Sequence, residues 1–77
     1  MAEAHEDLGK AYSSLNQLAA AQKEIEKAVE LAPKVARLHF MLGQLYRKAG
    51  LMEKARAELD AYAALVGTSS TPSVDPR

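Results

Sequence analysis

The sequence predicts an all-α fold: two tandem helix-turn-helix repeats that give four antiparallel helices. Three observations carry this. The stretch Leu8-Gly9-Lys10-Ala11-Tyr12 returns as Leu42-Gly43-Gln44-Leu45-Tyr46, an offset of 34 residues. The same offset carries nearly the whole apolar pattern. Ala4, Leu8, Ala11, Tyr12 and Leu15 map onto Leu38, Leu42, Leu45, Tyr46 and Ala49. Leu18, Ala21, Ile25, Ala28, Val29 and Ala32 map onto Met52, Ala55, Leu59, Tyr62, Ala63 and Val66. Within each copy the apolar spacing has the period of a helix face, and no strand is predicted. Self-similarity at this period marks a repeat architecture.

Each element follows from local signals. Counted from Ala4, apolar residues stand at i, i+4, i+7, i+8 and i+11, which predicts a first helix over residues 2 to 15. Asn16-Gln17 interrupts it, and Asn tolerates the left-handed conformation that ends helices. Leu18 to about Ala32 gives a second helix, with Lys23, Glu24, Glu26, Lys27 and Glu30 on a solvated face. The residue before a proline is pushed out of the α region, so Pro33 stops this helix near Leu31 or Ala32. Proline is tolerated in a first helical turn, so the third helix is expected from about Lys34 to Ala49. Gly50 suits its C-terminal cap, and Arg47 and Lys48 suit the negative end of its dipole. The fourth helix is expected from Met52 to Val66, stopped by Gly67. The repeats thus cover 2-35 and 36-67. The polar, Pro/Ser/Thr-rich tail at 68-77 has too little apolar surface to offset ordering and is expected to be disordered.

Composition narrows the function. The chain has 77 residues, with ten basic and ten acidic side chains. That balance argues against a nucleic-acid or anionic-membrane partner. Residues 1–34 hold four Lys against six Asp plus Glu, net minus two. Residues 35–77 hold six Lys plus Arg against four, net plus two. This asymmetry suits head-to-tail contact between copies. Cysteine is absent, which excludes disulfides, zinc-thiolate sites and cysteine nucleophiles. The acidic start, Met1-Ala2-Glu3-Ala4-His5-Glu6, is no signal peptide, and no stretch approaches a membrane span. A cytoplasmic location is the default expectation.

Two helix pairs at this period resemble tetratricopeptide repeats. The family pattern falls on Leu8, Gly9, Tyr12, Ala21, Ile25, Ala28 and Pro33 in the first copy. It falls on Leu42, Gly43, Tyr46, Ala55 and Leu59 in the second. The resemblance implies a short right-handed α-solenoid with a concave groove that binds a protein or peptide. It also implies a reason for Gly9 and Gly43 inside helices, where Gly costs about 1 kcal/mol against Ala. The missing side chain lets the second helix of each pair come close, opposite the small Ala21 and Ala55. The departures are His5 and His39 where the family often has Trp, Tyr62 in place of a small residue, and Gly67 in place of Pro. Tyr62 reads as the end of an array, and the expectation is that the chain forms the C-terminal part of a larger repeat scaffold.

Candidate sites follow. On the resemblance, the groove side holds Glu3, Glu6, Asp7 and Lys10 of the first helix and Arg37, Phe40, Met41, Gln44, Arg47 and Lys48 of the third, all expected to face solvent. Phe40 and Met41, apolar there, are the candidate anchor for a bound segment, with Arg37, Gln44 and Arg47 for its acid and backbone. The plainer reading packs Phe40 and Met41 against the neighbouring first helix. Relatives that clamp a C-terminal carboxylate use Lys and Asn where Glu6 and Lys10 stand, so that ligand is not expected. A rival role is self-association into a homo-oligomer through Leu59, Tyr62, Leu65 and Val66 of the terminal helix. His5 and His39 are repeat equivalents and read as structural filling; no further His or Cys completes a metal site. No catalytic triad or phosphate-binding loop is spaced along the chain, so neither an enzyme nor a cofactor is expected.

Overall fold

The computed structural model describes residues 1–67. It contains α1 (Ala2–Ser14), α2 (Leu18–Leu31), α3 (Ala36–Lys48) and α4 (Met52–Val66). Displaced by 34 residues, the bounds of α1 become those of α3, and α2 starts where α4 starts. The duplication read from the sequence is therefore present in the backbone. The expected disorder of 68–77 lies outside the described residues.

α1 packs on α2, α3 on α4, and α2 also packs on α3. The core sits at the centre of that chain of contacts. Ala21 and Ile25 of α2, Leu42, Leu45 and Tyr46 of α3, and Ala55 of α4 are buried together. Tyr12, Leu18, Val29 and Met41 close around them. Tyr46 binds three helices. Its hydroxyl donates to Glu26 of α2 at 2.8 Å, and the Lys54 ammonium of α4 lies 5.7 Å from its ring centre.

The glycines act as expected. A Cβ on Gly9 would collide with the Ile25 side chain and meet the Ala21 carbonyl oxygen at 3.5 Å. A Cβ on Gly43 would stand 2.9 Å from Leu59 Cδ2 and 3.4 Å from the Ala55 carbonyl oxygen. Within each pair, the helices approach over the missing side chain.

Both first helices end alike. Asn16 and Gly50 have φ of 61° and 83°. The Gln17 amide donates to the Tyr12 carbonyl at 2.8 Å, and the Leu51 amide to that of Tyr46 at 2.8 Å. Asn16 and Gly50 donate to the carbonyls of Ser13 and Arg47 at 2.9 and 3.0 Å. This nested pair of bonds closes orphan carbonyls and turns the chain sharply.

The structure corrects several expectations. Glu24 and Glu26, expected on a solvated face of α2, are half-buried and engaged by His5 and by the Tyr46 hydroxyl. α3 begins at Ala36, not Lys34, because Pro33-Lys34 forms the reversal itself: the Val35 amide donates to the Ala32 carbonyl at 3.2 Å, and Val35 is extended. Glu6 is buried, not solvent-facing, because it meets Arg37 from the second repeat. The positive bias of the second half does not sit at its end. α4 carries Lys54 and Arg56 against Glu53, Glu58 and Asp60, net minus one, while the basic residues concentrate on α3.

Candidate functional site

α1 and α3 lie side by side and form the two walls of an open groove of about 390 Å³. Helical spacing places the walls. Gly9, Lys10, Ser13 and Ser14 fall on one side of α1, and Phe40, Met41, Gln44, Leu45 and Lys48 on one side of α3. Gly9 adds depth because it has no side chain. Leu45 is buried beneath, while Met41 is half-buried against the core. Phe40 is an exposed aromatic whose ring lies 5.2 Å from that of Tyr62, tilted by 49°. The plainer reading and the groove reading of this pair thus meet: Met41 packs on the core and Phe40 on α4, yet both line the groove.

The polar groups sit along the rim. Ser13, Ser14 and Gln44 offer hydroxyls and an amide. Lys10 and Lys48 bring positive charge from opposite walls. Lys10 is loosely engaged, 3.9 Å from Glu6 and well exposed. Such a groove accepts an apolar side chain over its floor and favours a carboxylate at its rim.

Arg37 and Arg47 are not among the lining residues. The Arg37 guanidinium is held by the Glu6 carboxylate through two parallel hydrogen bonds. This contact holds the Glu6 carboxyl below its ordinary range; burial opposes the shift but is outweighed. Arg47 projects from the far side of α3, at the position Ser13 holds in α1. Of the terminal-helix candidates, Leu65 and Val66 are exposed. Leu59 packs towards Gly43 and Tyr62 against Phe40, both half-buried within their own repeat.

Gly9, Ser13, Ser14 and Leu45 line the groove outside the groove-side residues read from sequence, and Lys10 and Lys48, read on that side, join the binding set. The signal was present: 10, 13 and 14 are repeat equivalents of 44, 47 and 48. One groove takes its left wall from the first copy and its right wall from the second, so both sets of positions contribute.

The histidines form a repeated clasp. His5 Nδ1 lies 2.7 Å from Glu24, and His39 Nδ1 2.7 Å from Glu58, the equivalent carboxylate. His39 Nε2 also lies 2.7 Å from the Pro33 carbonyl oxygen. Carboxylate and carbonyl only accept, so both His39 contacts are hydrogen bonds together only when the ring is protonated, and the arrangement favours the imidazolium. Burial pushes its pKa down, but the hydrogen bonds to Glu58 and Pro33 outweigh it and the net shift is upward. Among the described residues, no three His, Cys, Asp or Glu side chains converge to hold a metal ion. Nor is any described helix long and apolar enough to cross a membrane.

Comparison with known proteins agrees with this geometry. A family model described as a tetratricopeptide repeat matches residues 6–70. No curated protein and no solved structure gives a match.

Proposed function

Since the chain belongs to the tetratricopeptide-repeat family, whose repeats generally mediate protein–protein contact, we propose that it binds a protein or peptide segment in the groove between α1 and α3. Phe40 and Met41 receive an apolar side chain, with Gly9 giving it depth. Ser13, Ser14 and Gln44 pair with the backbone of the bound segment. Lys10 and Lys48 meet a carboxylate beside the anchor. The observation that supports this reading most directly is the pairing of an exposed Phe40 with two lysines across one groove.

The test is an array of short peptides of varied sequence, probed with the wild type and with Phe40→Ala and Lys48→Glu. The reading expects acidic peptides with one large apolar residue to be retained by the wild type and lost by both variants at unchanged helicity. Equal retention by all three proteins rejects the site.

A second reading, self-association, is favoured by the exposed apolar side chains at both ends of the stack. Met1, Leu8 and Leu15 lie at one end, and Met52, Leu65 and Val66 at the other.

A further inference from the structure

We infer that copies of this chain stack end to end, α1 of one copy covering α4 of the next in the register that α3 keeps against α2. The inference rests on comparing equivalent positions. In the second repeat, Leu38, Leu42, Leu45 and Tyr46 form the face of α3 that α2 covers, and all are buried. Their equivalents on α1 are Ala4, Leu8, Ala11 and Tyr12, where Leu8 is 46% exposed against 2% for Leu42. The same face has been built twice and covered once.

The covering face is also present twice. α2 presents Leu18, Val29 and Ala32 beside α3, each half-buried. The equivalents on α4 are Met52, Ala63 and Val66, all exposed, with Met52 at 61% and Val66 at 55%. Each free face is therefore a copy of one half of an interface that already exists inside the molecule, with one departure: Tyr62 stands where α2 has the fully buried Ala28, and its ring lies against Phe40 of its own repeat. A second copy of the chain is the occupant that fits both ends at once.

Polar groups repeat in the same register. The Tyr46 hydroxyl donates to Glu26 inside the molecule. At the junction, the equivalents are Tyr12 of one copy and Asp60 of the other. Asp is one methylene shorter, so this bond is the weaker of the two. The groove is rebuilt as well. Ser13 and Met41 face each other across the existing groove. Their junction equivalents are Arg47 and Asp7, an opposite-charged pair. Arg47, which the single-copy groove leaves unused, gains a partner. The Glu6–Arg37 ion pair has no counterpart, since the equivalents are Phe40 and Glu3. The junction is weaker than the internal interface and assembles with concentration. Because its two faces differ, it does not stop at a dimer unless the stack closes into a ring.

Sedimentation velocity of the full chain over a concentration series tests this. The wild-type mass should rise with concentration beyond twice the monomer's 8.3 kDa. Leu8→Glu blocks one end and Val66→Glu the other, and each alone should stay monomeric. Mixed, they should form a one-to-one dimer and nothing larger, because each retains the end the other lacks. Circular dichroism confirms that both remain helical; if either does not, Ala11→Glu, whose equivalent Leu45 is buried, or Met52→Glu replaces it on the same face. A wild type that stays monomeric throughout overturns the inference. So does a mixture that fails to pair. Assembly by Leu8→Glu alone overturns it too, because that outcome means a symmetric contact through α4.

Discussion

Arg37 lies bidentate on Glu6, Nε donating to Oε2 at 2.8 Å and Nη2 to Oε1 at 3.0 Å. Glu6 is 5% exposed, whereas most of the Arg37 side chain is in solvent. The pair ties α1 to α3 at one end of the groove, and its two halves are unequal. Arg37→Ala leaves a buried charge with only Lys10 nearby, whereas Glu6→Gln leaves a neutral amide and an exposed cation. Arg37→Ala is therefore expected to destabilise the fold more. The Glu6 pKa is depressed below 4.5 in the folded state. Its contribution to stability is thus present above that value and lost as pH falls through the folded pKa. Urea midpoints in acid should show a steep loss in the wild type and a flatter one in Glu6→Gln.

His39 gives the opposite dependence. Its folded pKa lies above the ordinary 6.5. The imidazolium's contribution is complete below 6.5 and is lost as pH rises through the folded value. Denaturant midpoints on both sides of that pH should fall towards alkali. In Glu58→Gln the fall should be smaller. A wild-type midpoint that rises across this window contradicts the doubly donating ring.

Gly9→Ala and Gly43→Ala should differ. Ile25 is fully buried and stiff at its branch, and the new Cβ would stand 2.6 Å from its Cγ1. Overpacking of this kind costs about 1–3 kcal/mol. At Gly43 the clash is with the outer end of a half-buried Leu59, which can shift. Ala gains about 1 kcal/mol over Gly in a helix, so Gly43→Ala should be near neutral. Thermal melts of the two variants check the ranking.

The turns offer a matched pair. Asn16 has the same left-handed conformation as Gly50, without glycine's freedom. Asn16→Gly should stabilise by about 0.5 kcal/mol, and Gly50→Ala should destabilise by about 1 kcal/mol. The space around Gly50 is open, so the effect of Gly50→Ala reports backbone strain alone.

In the groove, Phe40→Ala removes an exposed ring and its contact with Tyr62. Stability should fall by about 1 kcal/mol, while retention of acidic peptides on an array should be lost. Tyr62→Phe keeps the ring and should retain the peptides. Loss of retention in both variants would point to disturbed packing and not to a lost anchor.

Much of this molecule could be read from spacing. The helices, the small residues beneath the glycines and the left-handed Asn16 all follow from local pattern or from the offset between copies. What could not be read are contacts made across the repeats. Glu6 looks like any acidic residue on a solvated helix face, and its partner lies 31 residues away. No periodicity reports such a pair. Proline suits both a turn and a first helical turn, so local signals leave the start of α3 open, and the reversal at Pro33-Lys34 settles it. The His–Glu clasp stood nearer to reach. His5–Glu24 and His39–Glu58 share a separation of 19 residues, and the 34-residue offset carries one pair onto the other.

Among the described residues, α2 against α3 is the main packing between the two hairpins, with the Glu6–Arg37 pair beside it. In such a linear array each unit leans only on its neighbour. The outer helices therefore open by local fluctuations without disturbing the centre. Backbone amides of α1 and α4 should exchange with deuterium first, and those of α2 and α3 last, at the rate set by global unfolding. The molecule frays from its two ends inward, like a short stack held by its middle joint.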